Sequence, residues 1–181
     1  YSGLDAFRYY SKETALVEGV SRELKVQTED LPERIAQLSE KLKAAEKEIE
    51  TLRKQQLAAR ASEFVSAAKD VNGFKVIALT LPEGTTGGDL RTVATDLRNR
   101  LREEEAVIVL GAEDKGKFPF IAAATDKAVG RGVKSGDIVK EFGQYVDGRG
   151  GGKPDMAQGS GSTAAGAERG FEAVKDMLES L

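Results

Sequence analysis

Neither cysteine nor histidine occurs anywhere in this chain of 181 residues. Without cysteine no disulfide framework forms, which suits a reducing, cytoplasmic setting. Without either residue, Cys/His zinc sites, histidine general-base catalysis and a Ser-His-Asp triad are all excluded from these residues. A long apolar run is lacking as well: nothing approaches the roughly eighteen consecutive apolar residues that span a membrane. The net charge of −3 provides no global basic field of the kind that advertises nucleic-acid binding. The chain opens on Tyr1-Ser2-Gly3-Leu4, with no initiator methionine and no signal-peptide core, and is read as a non-catalytic piece of a longer polypeptide.

What is present is the composition of a folded domain, 40% hydrophobic and 31% charged. The first third is helical. Leu31, Ile35, Leu38, Leu42, Ala45, Ile49, Leu52, Gln56 and Ala59 recur at alternating steps of four and three, a heptad seam flanked by Glu, Lys, Arg and Gln. Asp30 is the expected N-cap, with Glu33 three residues on and Pro32 in the first turn. Leu4, Phe7, Tyr10, Thr14, Val17, Ser21 and Leu24 form a similar stripe, and "VQTEDLP" separates the two. The expectation is an antiparallel helical hairpin, a coiled coil over residues 1–63. The second helix outruns the first, so Ile49, Leu52 and Gln56 are candidates for pairing with a second copy.

Residues 64–181 alternate strand and helix signals. Asn72-Gly73 marks a turn, "FKVIALTL" (Phe74 to Leu81) a strand, and Leu90, Val93, Ala94, Leu97 and Leu101 an amphipathic helix with Asp89 as expected N-cap. "AVIVLGA" is a fully apolar strand, "EDKGK" a turn and "FPFIAAAT" the returning strand. A helix follows from Ser135, then a glycine tract, then a final helix carrying Phe171, Val174 and Leu178. The order β-α-β-β-α-loop-α describes a mixed α/β (α+β) domain with a mixed sheet and flanking helices.

The tract "GRGGGKPDMAQGSGSTAAG" (Gly148 to Gly166) is the most distinctive stretch. A Walker A loop is excluded: the first glycine would fall on Asp147, and Pro154 stands where the Mg²⁺-binding hydroxyl belongs. A dinucleotide fingerprint is excluded because no strand precedes the glycines. A flexible linker and a backbone surface for a phosphate or sugar both remain, the second drawing on the bare glycines and on Arg149 and Lys153. From Lys127 to Lys153 there are six basic side chains against three acidic ones, so a local basic face including Arg131 and Lys134 is conceivable within an acidic whole.

"GRGGGKPDMAQGSG" resembles the glycine-rich signature near the end of alanyl-tRNA synthetases, G-G-R-G-G-G-[RK]-P-D-M-A-Q-A-G-G. The departures are Asp147 for the first glycine and Gly159-Ser160 where Ala-Gly is usual. "SGLDAFRYY" resembles the segment that follows the editing domain in that family, and "LPERIAQLSEKLKAAEKEIETLRKQQ" its coiled segment. The resemblance implies a C-terminal module, a helical arm plus the domain also attached to DHH-family phosphoesterases. It implies tRNA as partner, held at the corner where D and T loops meet, with Arg149, Gly150, Gly151, Gly152, Lys153, Pro154, Asp155, Met156, Gln158, Arg131 and Lys134 as expected contacts. It implies cooperation with the parent's aminoacylation and editing domains, whose ATP, Mg²⁺ and zinc belong outside these residues, and a homodimer as a possible state. Two other readings stand beside it: the substrate-binding half of a DHH-type oligonucleotide phosphoesterase, and a purely structural dimerisation module.

Overall fold

A computed structural model describes the backbone of residues 3–181 and side chains from residue 8 onward. Leu4 and Phe7 of the first apolar stripe therefore lie outside the described side chains. The chain divides into two compact units, Tyr1–Leu52 and Arg53–Leu181.

The first unit contains α1 (Gly3–Leu24), a 3₁₀ turn (Thr28–Asp30) and most of α2 (Leu31–Ser66). α1 stops at a left-handed Lys25 (φ 56°). The Val26 N–H donates to the Ser21 carbonyl at 3.1 Å and the Lys25 N–H to that of Arg22 at 3.2 Å, which is a Schellman closure. The helix–turn–helix order matches the sequence. The closed intrachain seam does not: Tyr10, Ile35, Leu42, Ile49 and Leu52 are 70%, 50%, 61%, 49% and 57% exposed. Burial in this unit is confined, among the described residues, to the turn, at Ser21 and Leu31. The physical reason is a thin stripe. Thr14 and Ser21 interrupt it on α1 and Ala45 on α2, leaving little apolar area to hold two helices together along their length.

The second unit begins inside α2 rather than after it, because Leu57, Ala61 and Phe64 are buried in the core of that unit. Its sheet has six strands: β1 (Lys69–Val71), β2 (Phe74–Leu81), β3 (Ala106–Ala112), β4 (Phe118–Ala124), β5 (Arg149–Gly152) and β6 (Met156–Gly161). Their spatial order is β1-β2-β3-β4-β6-β5, and only β2 and β3 run parallel. That parallel pair is joined through α3 (Gly87–Arg100), the crossover such a pair needs. After β4 come the short α4 (Asp126–Gly130), α5 (Ser135–Tyr145) and, beyond the glycine tract, α6 (Ala167–Glu179).

Alternation along the strands creates two cores. Val76, Val107, Val109, Phe118, Phe120 and Ala122 face α5 and α6, where Phe142 packs between Phe120 and Phe171 with ring centroids about 5 Å apart. Ile77, Ile108, Leu110, Ile121 and Ala123 face α3 and the end of α2. β3 contributes to both cores and every one of its residues is buried, as its unbroken apolar run predicts.

Two expectations need correction. Thr86, not Asp89, caps α3: its hydroxyl accepts from the Asp89 N–H at 3.2 Å while the Asp89 carboxylate accepts from the Thr86 N–H at 3.2 Å. A threonine three residues before an acid closes this box, and the acid is its N3 member. The glycine tract is neither a loop nor a linker. It forms β5 and β6, a hairpin along the sheet edge. Glycine is a poor strand former, but here close packing against α5 requires it. α5 itself ends on Asp147, left-handed at φ 49°, with the Gly148 N–H donating to the Gly143 carbonyl at 2.8 Å. The resembling signature carries glycine at that position, where positive φ favours it.

Candidate nucleic-acid interface

The glycine hairpin has two unlike faces. On the inner face α5 lies directly against it. A Cβ on Gly150 would fall 2.6 Å from the Gln158 carbonyl oxygen and into the Val139 side chain. One on Gly152 would fall 2.6 Å from the Ala157 Cα. Gly136 on α5 approaches in return: its Cβ would sit 3.2 Å from the Gly152 carbonyl. A side chain at Gly150 would thus meet both α5 and the paired strand β6, and one at Gly152 would meet β6; the Gly152 backbone also borders the groove on the α3 side. The outer face differs. A Cβ on Gly151 would meet nothing within 4 Å. Gly151 pairs with Gln158 and Arg149 with Ser160, and all four residues are exposed.

The outer face is bare because helices are unevenly distributed. α5 covers β4, β6 and β5 on one side of the sheet, whereas on the other α3 packs mainly on β3 and β4. The flank of α3 nearest the hairpin carries Arg91, Thr95 and Arg98. With Gly151, Lys153, Asp155, Met156 and Gln158 they line a groove of about 500 Å³.

The hairpin turn is fixed. The Lys153 N–H donates to the Met156 carbonyl at 2.9 Å, the Ser135 N–H to the Pro154 carbonyl at 2.9 Å, and the Ala124 N–H to the Asp155 carbonyl at 2.9 Å. The Asp155 carboxylate accepts from Arg98 Nη1 at 3.2 Å, and Arg98 Nη2 donates to Asp126 at 2.9 Å. Met156 is partly buried against the core beneath α3. Lys134 caps α5 without a side-chain bond and so stands beside the Pro154 turn.

Most expected contacts thus converge on one hairpin, in two settings. Arg149, Gly151, Lys153 and Gln158 are open to a ligand. Gly150, Gly152, Pro154, Asp155 and Met156 shape the hairpin. Arg131 does not belong to it. Its guanidinium lies 4.0 Å from the centroid of the buried Phe74 ring, donates to the Asn72 carbonyl at 2.7 Å and pairs with Glu105. It locks α4 to the β1–β2 turn. Arg91 and Thr95 escape a sequence reading, because periodicity marks the buried face of a helix and says nothing about which polar flank borders a groove.

Ile49, Leu52 and Gln56 are exposed on α2. Among the described residues no helix is long and apolar enough to cross a membrane.

The family model described as "DHHA1 domain" matches residues 73–180, which contain five of the six strands and all the helices from α3 onward. The chain belongs to this family. Over its whole length it is 52% identical to the alanine–tRNA ligase of Corynebacterium efficiens and 46% identical to that of Nocardia farcinica. It spans about a fifth of the length of these relatives (21% and 20%). A crystal structure of the C-Ala domain of Aquifex aeolicus alanyl-tRNA synthetase matches 62% of this chain and 97% of its own, with a TM-score of 0.57 at 23% identity. That likeness supports the fold, a helix followed by the mixed sheet and its flanking helices. The whole-length resemblance to alanyl-tRNA synthetases therefore holds beyond the glycine signature that first suggested it.

Proposed function

We propose that this chain is the tRNA-binding module of an alanine–tRNA ligase, meeting the folded corner of tRNA with the outer face of the glycine hairpin. The observation that carries the reading is the two-faced tract: α5 occupies one side, while Gly151 presents bare backbone on the other between the cations Arg149 and Lys153. The tRNA corner is a compact, partly non-helical surface of base edges, 2′-hydroxyls and phosphates, recognised by shape and backbone contact. A strand face with no side chain at its centre suits close approach, and Arg149 and Lys153 suit phosphates. The whole-length likeness to alanine–tRNA ligases favours this role over half of an oligonucleotide phosphoesterase.

The module works without catalysis of its own and in the cytoplasm, holding one tRNA for aminoacylation and editing carried out elsewhere in the parent. ATP and Mg²⁺ belong to the parent's other domains. A zinc editing site built on histidine and cysteine finds neither ligand here. A second copy joins through the exposed seam around Ile49, Leu52 and Gln56.

Binding to whole alanine tRNA and to a minihelix lacking the D and T loops, titrated with salt, tests the reading. Lys153→Ala removes one phosphate contact and flattens the salt slope by roughly one unit or less. Gly151→Val weakens binding further by filling the open face. The minihelix binds poorly and responds to neither change. Whole-tRNA binding that both variants leave untouched, slope included, rules out the hairpin as the RNA surface.

A further inference from the structure

We infer that the flank of α3 forms a second wall of this site, with Arg91 and Thr95 holding an RNA sugar–phosphate strand against the open face of the hairpin and Arg98 positioned behind them. The inference rests on the tRNA reading for the class of ligand. Its residues are new to the site.

Spacing comes first. Arg91, Thr95 and Arg98 are four and three residues apart, so they share one flank of α3. The opposite flank, with Thr92, Asp96 and Arg100, faces the end of α2. α3 therefore separates an apolar groove on one side from a cationic one on the other.

Charge comes second. Elsewhere in this unit Lys75, Arg100, Lys127, Arg131, Lys140 and Lys175 each face a carboxylate. The side chains of Arg91 and Lys153, like those of Lys115, Lys117, Lys134 and Arg149, make no ion pair or hydrogen bond among the described residues; what sets these two apart is that they line one groove, from α3 and from the hairpin. The groove's acidic lining residue, Asp155, is engaged by Arg98 at 3.2 Å. Two uncompensated cations flanking a strip of bare backbone complement a polyanion with a narrow edge, which is what an RNA strand presents.

Hydrogen bonding comes third. The Thr95 hydroxyl donates to the Arg91 carbonyl at 2.8 Å, which leaves its lone pairs free to accept from a ribose 2′-hydroxyl. Arg98 is held by Asp155 and Asp126 with its side chain 24% exposed. Its fork is thus set before a ligand arrives, which reduces the ordering cost on binding. Arg98 is a positioning residue that ties α3 to the hairpin turn.

The test adds Arg91→Gln and Arg98→Lys to the salt titration of whole alanine tRNA, with Gly151→Val alongside and circular dichroism as the check on folding. Arg91→Gln is expected to weaken binding about three- to tenfold at low salt and to flatten the slope by roughly one unit or less. Arg98→Lys keeps the charge, so the slope stays while affinity falls as the fork is lost. An Arg91→Gln chain that binds with wild-type affinity and slope while Gly151→Val fails overturns the second wall and leaves the hairpin reading standing. A loss at Arg91 with Gly151→Val unaffected supports the wall as a phosphate site and removes the hairpin reading. Wild-type binding by both variants overturns both.

Discussion

Three consecutive glycines look interchangeable on paper, yet the middle one differs from its neighbours. A single carbon added to Gly150 would collide with Val139 of α5 and with the backbone of the paired strand β6, and one added to Gly152 with the backbone of β6. Gly151, between them, faces open space. Period-two alternation of strand side chains is sufficient to produce this division. The residues therefore separate in a stability measurement made without any RNA. Gly150→Ala should cost about 1–3 kcal/mol in denaturant unfolding, the usual penalty of overpacking a filled site. Gly151→Ala should be neutral or slightly stabilising, since a methyl there meets nothing and restricts the unfolded chain. Equal losses at both positions would contradict the two-faced hairpin. This contrast is also what makes Gly151→Val a fair probe of the proposed binding: the fold has room for a Cβ there, so a loss of binding would not be a loss of folding.

At the scale of elements, what could be read in the sequence followed periodicity. β2 and β3 start and stop where their apolar runs do, and α3, α5 and α6 follow their 3.6-residue stripes. The β5–β6 hairpin was hidden because its strand character comes from neighbours. Glycines with no side-chain pattern are held in register by β4 and by α5, and no local signal records that. β1 is too short to show a period. The structural role of Arg131 escapes the sequence for a related reason. A basic residue near other basic residues reads as a surface cation, and only the fold reveals Phe74 beneath it and Glu105 and Asn72 beside it. This arginine ties α4 to the β1–β2 turn. Arg131→Ala should accordingly destabilise the globular unit by about 1–2 kcal/mol, chiefly through the lost cation–π contact over a buried ring. The salt slope of tRNA binding should not change. A flattened slope with intact stability would return Arg131 to the RNA surface.

For the molecule as a whole, the open question is what covers the arm. α2 displays Ile35, Leu42 and Ile49 to solvent on one heptad row and Leu52 on the adjoining row of the same seam, with charged residues on either side. An exposed apolar row of that length is the kind of surface that a partner covers, and the proposed pairing rests on it. The heptad spacing selects another helix as the partner, and a second copy supplies one with the same row. The chain should therefore show concentration-dependent dimerisation in sedimentation equilibrium. Leu52→Asp sets a desolvated charge into the seam at a site 57% exposed in the single chain, so it breaks the pair without disturbing the fold of either copy. The variant should be monomeric with an unchanged helical signal. Its tRNA binding per copy should match wild type, because the groove and the seam share no residue. A wild-type chain that stays monomeric at high micromolar concentration refutes self-pairing through this seam in the isolated module. The row would then have to be covered by other segments of the parent protein.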